Sequence, residues 1–116
     1  MEELYKAAGI EYEKGLERFM GNAALYQKFL DKFLYDGSFE EFREGFEIGD
    51  LVMAEKAVHT LKGTAGNLSM TTLFQAADQA VKAIRAGRSV DEIRPLVKQV
   101  SIAYEKVCDA IRGHGR

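Results

Sequence analysis

Apolar residues recur every three or four positions along most of the chain, and this spacing limits the fold more than any other feature of the sequence. Such spacing places apolar side chains on one face of an α-helix. Pro95 is the single proline among 116 residues, so long helices are permitted almost everywhere. No Asn-Gly or Asp-Gly turn joins two stretches in which apolar and polar residues alternate, and no strand is predicted. The sequence therefore predicts an all-α protein.

Capping residues and glycines divide the chain into predicted helices. N-terminal caps are predicted at Asn22, Asp50 and Ser89, and a further helix is predicted to open at Thr71 or Thr72. A short helix is predicted over Phe39, Phe42 and Phe46, and helix ends are predicted near Gly37, Gly49 and Gly87. Shorter helical pieces are predicted before Asn22. Four amphipathic helices joined by short connections pack best as an antiparallel up-down-up-down four-helix bundle, with the additional short N-terminal helices covering one end. Pro95 lies inside the last predicted helix, where its nitrogen has no proton to donate to the carbonyl four residues earlier. The cap at Ser89 is therefore compatible with Pro95 only if the first turn of this helix is separate or kinked.

Length and charge exclude several classes of protein. The 116 residues fit a single domain, residues 1–116. With 16 Lys+Arg against 18 Asp+Glu, the net charge is −2, and no nucleic-acid binding is expected, because that requires a basic surface. No signal peptide is visible, and no apolar run approaches the roughly 18 residues of a membrane span. We therefore expect a cytoplasmic monomer that makes no membrane contact, and Cys108, the one cysteine, can form no disulfide within the chain.

The predicted helix at residues 50–68 carries the residues of greatest interest. At roughly 100° per residue, its apolar side chains fall on one arc, and His59 lies about 140° from the centre of that arc. His59 is therefore predicted to face solvent. The same outer face is predicted to carry Val52, Glu55, Lys56, Lys62, Gly63, Gly66 and Asn67.

Two glycines and one lysine distinguish this outer face from an ordinary exposed surface. Gly63 and Gly66 lie in mid-helix, where each costs about 0.5–1 kcal/mol relative to alanine. They remove side chains beside His59, so that another backbone could approach. Lys62 follows His59 by three residues, and its ammonium can reach a group attached to the imidazole. Val52 adds an exposed apolar side chain suited to docking. This combination favours a functional surface but leaves its chemistry open.

Residues 58–68, V-H-T-L-K-G-T-A-G-N-L, resemble the signature of histidine-containing phosphotransfer (HPt) domains of bacterial phosphorelays. Residues 15–22 and 25–30 are similar to the usual opening of that family. Residues 46–50 resemble its lead into the histidine helix, and residues 83–87 its exit from the next helix. The resemblance thus covers residues 10–110.

The resemblance implies a role for each of three residues: His59 accepts a phosphoryl group, Lys62 stabilises it, and Gly63 leaves clearance for the partner. The expected partners are response-regulator receiver domains and a hybrid sensor histidine kinase. The chain itself is expected to need no cofactor, because the receiver brings its own Mg²⁺. The residues expected to bind the partner are Val52, Glu55, Lys56, Gly66 and Asn67. Nε2 is the expected phosphorylated atom of His59, because it projects furthest from the helix.

The sequence departs from the family pattern at three positions. Val58 stands where alanine is usual and Ser69 where glycine is common. Val81 occupies a position that is often acidic, and this departure is expected to alter the surface that a partner reads.

Catalytic machinery of other kinds is not predicted. The sequence contains no glycine-rich loop for binding ATP, and His114 and Cys108 have no further ligand at metal-binding spacing, so neither an enzyme nor a metal site is expected. Two alternatives stay open: a helical adaptor that docks a receiver-like partner without phosphate chemistry, and the phosphoacceptor domain of a chemotaxis-type kinase. The sequence also leaves open whether the chain is free-standing or part of a hybrid kinase, and which receivers and signal it serves.

Overall fold

The computed structural model describes residues 2–114, with only the backbone of His114, and Met1, Gly115 and Arg116 lie outside the described residues. Within residues 2–114 the chain is all-helical and forms no strand, which confirms the prediction of an all-α protein. Its helices are α1 (Glu2–Ala7), α2 (Tyr12–Arg18), α3 (Ala23–Phe33), α4 (Ser38–Glu47), α5 (Leu51–Asn67), α6 (Thr71–Arg85) and α7 (Val90–His114).

The three predicted N-terminal caps are confirmed by hydrogen bonds. The Leu25 amide donates to Asn22 Oδ1 and the Met53 amide to Asp50 Oδ1, each at 3.0 Å. Ser89 and Glu92 form the predicted capping box, in which each side chain accepts from the other's amide at 3.2 Å. These bonds satisfy amides that would otherwise lack a partner at the start of a helix.

The structure also defines the starts of α6 and α7. Helix α6 begins at Thr71, as predicted, with Met70 in the cap position and no side-chain cap. Helix α7 continues from Val90 through Pro95, so its first turn is not a separate helix.

The helices pack mainly against their neighbours in the chain. Helix α5 contacts both α4 and α6, while α7 contacts α1, α3, α4 and α6. The buried face of α5 comprises Ala54, Ala57, Val58, Leu61 and Ala65, as its spacing predicts. Leu51 is half-buried and Leu68, just after the helix, is buried.

The N-terminal segment is joined to the connection between α5 and α6. The Glu11 amide donates to the Ser69 carbonyl at 2.9 Å, and the Thr72 amide to the Gly9 carbonyl at 3.3 Å. Ser69 adopts a left-handed conformation, with φ of 57°, which a residue with a Cβ rarely adopts and glycine adopts readily. The sharp turn after α5 therefore carries some backbone strain.

Tyr26 connects α3 to the end of α5. Its hydroxyl donates to the Leu68 carbonyl at 2.7 Å, and its side chain is fully buried. Burial raises the pKa of Tyr26, so the phenol keeps the proton that it donates. A methyl group at Gly15 would overlap the Tyr26 ring, so glycine at this position of α2 allows the ring to pack there.

Replacement of Tyr26 by phenylalanine is expected to lower the free energy of unfolding by about 1–3 kcal/mol, because the buried Leu68 carbonyl loses its donor. Urea denaturation followed by circular dichroism measures this change. Tyr35→Phe is the matched control, since Tyr35 is 88% exposed and its substitution should change stability by less than about 0.5 kcal/mol. Equal stability of the two variants would contradict the role of the Tyr26 hydroxyl.

Candidate functional site on helix α5

His59 lies on the exposed side of α5, opposite the buried face of the helix. Its neighbours in the chain differ: Val58 is fully buried, whereas Thr60 is exposed. The Thr60 hydroxyl donates to the Lys56 carbonyl one turn earlier, at 3.1 Å, and so remains bound to its own helix. The prediction that the imidazole faces solvent is confirmed.

Gly63 lies one turn after His59, and the space beside it is open. Apart from its chain neighbours and the backbone of its own helix, a Cβ built at this position would meet no atom within 4 Å. The structure therefore offers a bare patch of helix backbone beside the imidazole, as the sequence predicts.

Gly66 lies on the same helix but in a different environment. A Cβ at Gly66 would lie 3.1 Å from Cδ1 and 3.2 Å from Cε1 of the Phe74 ring, which belongs to α6. The prediction that Gly66 keeps the solvent face clear is wrong, because the missing side chain admits Phe74.

Lys62 has an acidic partner that the sequence did not indicate. Its Nζ lies 2.9 Å from Asp78 Oδ1 and 5.7 Å from the centre of the Phe74 ring. The other oxygen of the carboxylate, Asp78 Oδ2, lies 2.9 Å from Lys82 Nζ. Hydrogen bonds from Lys62 and then from Lys82 hold the pKa of Asp78 below its usual value, so the carboxylate remains ionised at neutral pH. Lys62 thus lies between α5 and α6, where its ammonium is paired with the carboxylate of Asp78.

The remaining residues of the predicted partner surface divide into two groups. Val52, Lys56 and Asn67 are exposed, as predicted, and Val52 is 81% exposed. Glu55 is half-buried, because its Oε1 lies 3.4 Å from Arg85 Nε of α6. Glu55 is therefore only partly available to a partner.

Helix α6 packs along one edge of the exposed side of α5. Glu55, Lys62 and Gly66 contact Arg85, Asp78 and Phe74 respectively, so the start of α5 lies beside the end of α6. The functional face, which we define as His59, Lys62 and Gly63, is thus bordered by a helix on the side of Lys62.

The Val81 side chain of α6 does not reach this surface. It is 1% exposed and packs in the core. The expectation that valine at this position alters the surface read by a partner is therefore wrong.

The chemistry available at the functional face follows from an exposed imidazole and a nearby cation. A neutral imidazole has one unprotonated ring nitrogen, which can act as a nucleophile. A lysine ammonium can stabilise the negative charge of a phosphoryl group. Among residues 2–114, no three His, Cys, Asp or Glu side chains are grouped to hold a metal ion.

Two further observations bear on the class of protein. None of the helices in the described part of the chain is both long and apolar enough to cross a membrane. We found no match for the chain among protein-family models, curated proteins or solved structures.

Proposed function

We propose that this chain is a histidine phosphotransfer protein of a phosphorelay, in which His59 carries the phosphoryl group. A ring nitrogen of His59 attacks the phosphorus of an aspartyl phosphate on a receiver domain. The new P–N bond forms as the P–O bond breaks, and the receiver regains its carboxylate. The reverse reaction passes the phosphoryl group to the aspartate of another receiver.

The observation that carries this proposal is the open space at Gly63. Packing accounts for the glycines at three other positions inside helices, because a Cβ would collide with or press on a neighbour at Gly15, Gly45 and Gly66. At Gly63 a Cβ would meet nothing, although glycine destabilises a helix interior by about 0.5–1 kcal/mol. The approach of another molecule to His59 accounts for this glycine.

The position of Lys62 also supports phosphoryl transfer. Lys62 follows His59 by one turn of the helix, so its ammonium, which is paired with Asp78, is close enough to reach a group attached to the imidazole. Phosphoryl transfer depends mainly on positioning and charge stabilisation. The receiver supplies the Mg²⁺ and the acidic pocket, and a hybrid sensor kinase is a further proposed partner. In this proposal the chain works in the cytoplasm as a monomer and catalyses no reaction of its own.

We further propose that α4 to α7 form an antiparallel up-down-up-down bundle. Each of these helices contacts the next, and α4 also contacts α7. Phe39, at the start of α4, stacks on Tyr104 with ring centroids 4.3 Å apart, whereas Phe46, near its end, contacts Arg94 near the start of α7. These contacts support opposite directions for α4 and α7, as the bundle requires.

The proposed function is tested by incubating the protein with a receiver domain phosphorylated by acetyl phosphate. Transfer of phosphate to this chain, stable in base and labile in acid, would support a phosphohistidine. Binding of the receiver without phosphate transfer would instead identify a helical adaptor. Phosphorylation by a chemotaxis-type kinase domain with ATP, and not by any receiver, would identify the phosphoacceptor domain of such a kinase.

Replacement of Lys62 by alanine is expected to slow transfer about fivefold, the effect of losing an ion pair worth about 1 kcal/mol. Lys62→Arg should slow it less, because the charge is kept. Rapid-quench measurement of transfer from one receiver, at low and high salt, gives the rates. Because Lys62 also pairs with Asp78, the alanine variant should lose up to about 1 kcal/mol of stability.

Lys56→Ala is the matched control for this experiment. Lys56 precedes His59 by three residues and is exposed, but its side chain leans away from the imidazole. Its loss should change the transfer rate in the same direction but by less than twofold. Equal effects of the two substitutions at both salt concentrations would exclude a specific contact between Lys62 and the phosphoryl group.

A further inference from the structure

Asp78 is the centre of a three-residue ion cluster at the edge of the functional face. Lys62 Nζ and Lys82 Nζ each lie 2.9 Å from a different oxygen of its carboxylate. The two lysines differ in exposure, with 28% of the Lys62 side chain and 75% of the Lys82 side chain accessible. Lys62 comes from α5 and Lys82 from α6, so Asp78 joins the lysine beside His59 to the neighbouring helix.

The two lysines of this cluster can be separated at low cost. Were the Lys62 ammonium to leave, Asp78 would keep its contact with Lys82, one helical turn away on the same helix. The carboxylate would then still have a cationic partner, which avoids the penalty of leaving a charge unpaired. Lys62 can therefore exchange one anion for another.

We propose that Asp78 competes with the phosphoryl group on His59 for the ammonium of Lys62, and that it thereby limits how strongly this chain holds phosphate. The inference rests on the proposed phosphotransfer function. Asp78 is a positioning residue in this scheme: it binds Lys62 in the unphosphorylated protein and releases it when His59 is phosphorylated.

The direction of the effect follows from the two states of the protein. The contact between Asp78 and Lys62 stabilises the unphosphorylated state, in which Lys62 has no phosphoryl group to bind. In the phosphorylated state, Lys62 must give up this contact in order to pair with the phosphoryl oxygens, which carry close to two negative charges. An interaction present in only one of two states shifts the equilibrium towards that state. Asp78 therefore favours return of the phosphoryl group to the receiver.

The test measures the equilibrium of phosphoryl exchange between this chain and a receiver domain phosphorylated by acetyl phosphate. Asp78→Asn is expected to shift that equilibrium about fivefold towards phosphorylated His59, the factor that corresponds to about 1 kcal/mol. Asp78→Glu, which keeps the carboxylate, should stay within about twofold of the wild type. When Lys62 is already alanine, adding Asp78→Asn should shift the equilibrium by less than twofold, because the competition needs both residues.

Glu47→Gln is the matched control variant. It removes one negative charge and breaks an ion pair of similar length, that of Glu47 Oε1 with Arg43 Nη1 at 3.0 Å on α4, but leaves Lys62 and Asp78 intact. Its equilibrium should stay within about twofold of the wild type. A shift as large as that of Asp78→Asn would overturn the inference, since the effect would then come from the net charge of the surface.

The remaining outcomes distinguish this inference from the proposed function. If the receiver phosphorylates His59 and the equilibria of the wild type and Asp78→Asn are the same, only the role of Asp78 is overturned. If His59 takes up no phosphate in any variant, the proposed function is overturned and the inference with it. Circular dichroism of each variant shows whether its helices are intact.

Discussion

Replacement of His59 by glutamine is expected to abolish phosphate uptake and to leave the fold unchanged. The imidazole is exposed and is the nucleophile of the proposed transfer, whereas an amide side chain has no nucleophilic ring nitrogen. Substitutions at such exposed positions usually change the free energy of unfolding by no more than about 0.5 kcal/mol. Transfer from a phosphorylated receiver and urea denaturation measure the two effects.

The control for this prediction is His114→Gln, because His114 is the other histidine of the chain. That variant should take up phosphate as the wild type does. Phosphate uptake that survives in His59→Gln but is lost in His114→Gln would show that His114 carries the phosphate, which would contradict our proposal. A loss of more than about 2 kcal/mol of stability in His59→Gln would mean that the imidazole has a structural role.

Replacement of Gly63 by leucine is expected to reduce the transfer rate by at least about tenfold, as a loss of about 1.4 kcal/mol in the docked complex would do. The side chain would occupy the open space beside His59 and hinder the receiver. The isolated protein should become more stable by about 0.5–1 kcal/mol, since glycine is unfavourable inside a helix. Transfer kinetics and urea denaturation of the same variant measure both quantities.

Gly63→Ala provides the graded comparison for this prediction. Alanine also removes the glycine that destabilises the helix, but it fills much less of the space beside His59. The transfer rate of this variant should therefore lie between those of the wild type and the leucine variant. An unchanged rate in Gly63→Leu would exclude the proposed clearance for a partner, whatever the change in stability.

Local features of the fold could be predicted from the sequence because their causes lie within a few residues. Asn22 and Asp50 cap helices through bonds to amides three residues later, and the box formed by Ser89 and Glu92 is equally local. The exposure of His59 follows from the spacing of apolar residues on α5 itself. Each of these predictions needs only one helix and its immediate flanks.

Features that depend on two helices could not be predicted in the same way. The helical wheel of α5 gives the direction of Lys62 and Gly66, but it does not show what α6 places opposite them. Asp78 and Phe74 fill those positions, sixteen and eight residues further along the chain. As a result, the wheel does not reveal the acidic partner of Lys62, and it leaves the space beside Gly66 open.

A signal for these contacts is nevertheless present in the sequence. The pair of Glu55 and Arg85, that of Lys62 and Asp78, and that of Gly66 and Phe74 are all placed symmetrically about Met70. Two helices folded back on each other at a short connection bring together residues at equal distances from it. Pairing the two helices about the connection would therefore have indicated that Asp78 is the partner of Lys62.

The bonds that join the N-terminal segment to the turn after α5 affect the order in which the chain can fold. Contacts between successive helices close short loops, whereas the bond from the Thr71 hydroxyl to Glu11 Oε2 joins residues 60 positions apart. Closing a longer loop costs more entropy, and contacts between distant residues slow folding. The pairing of α4, α5 and α6 can therefore precede the docking of residues 9–11. The helix that carries His59 forms early in this order, and the turn at its C-terminal end acquires its last hydrogen bonds late.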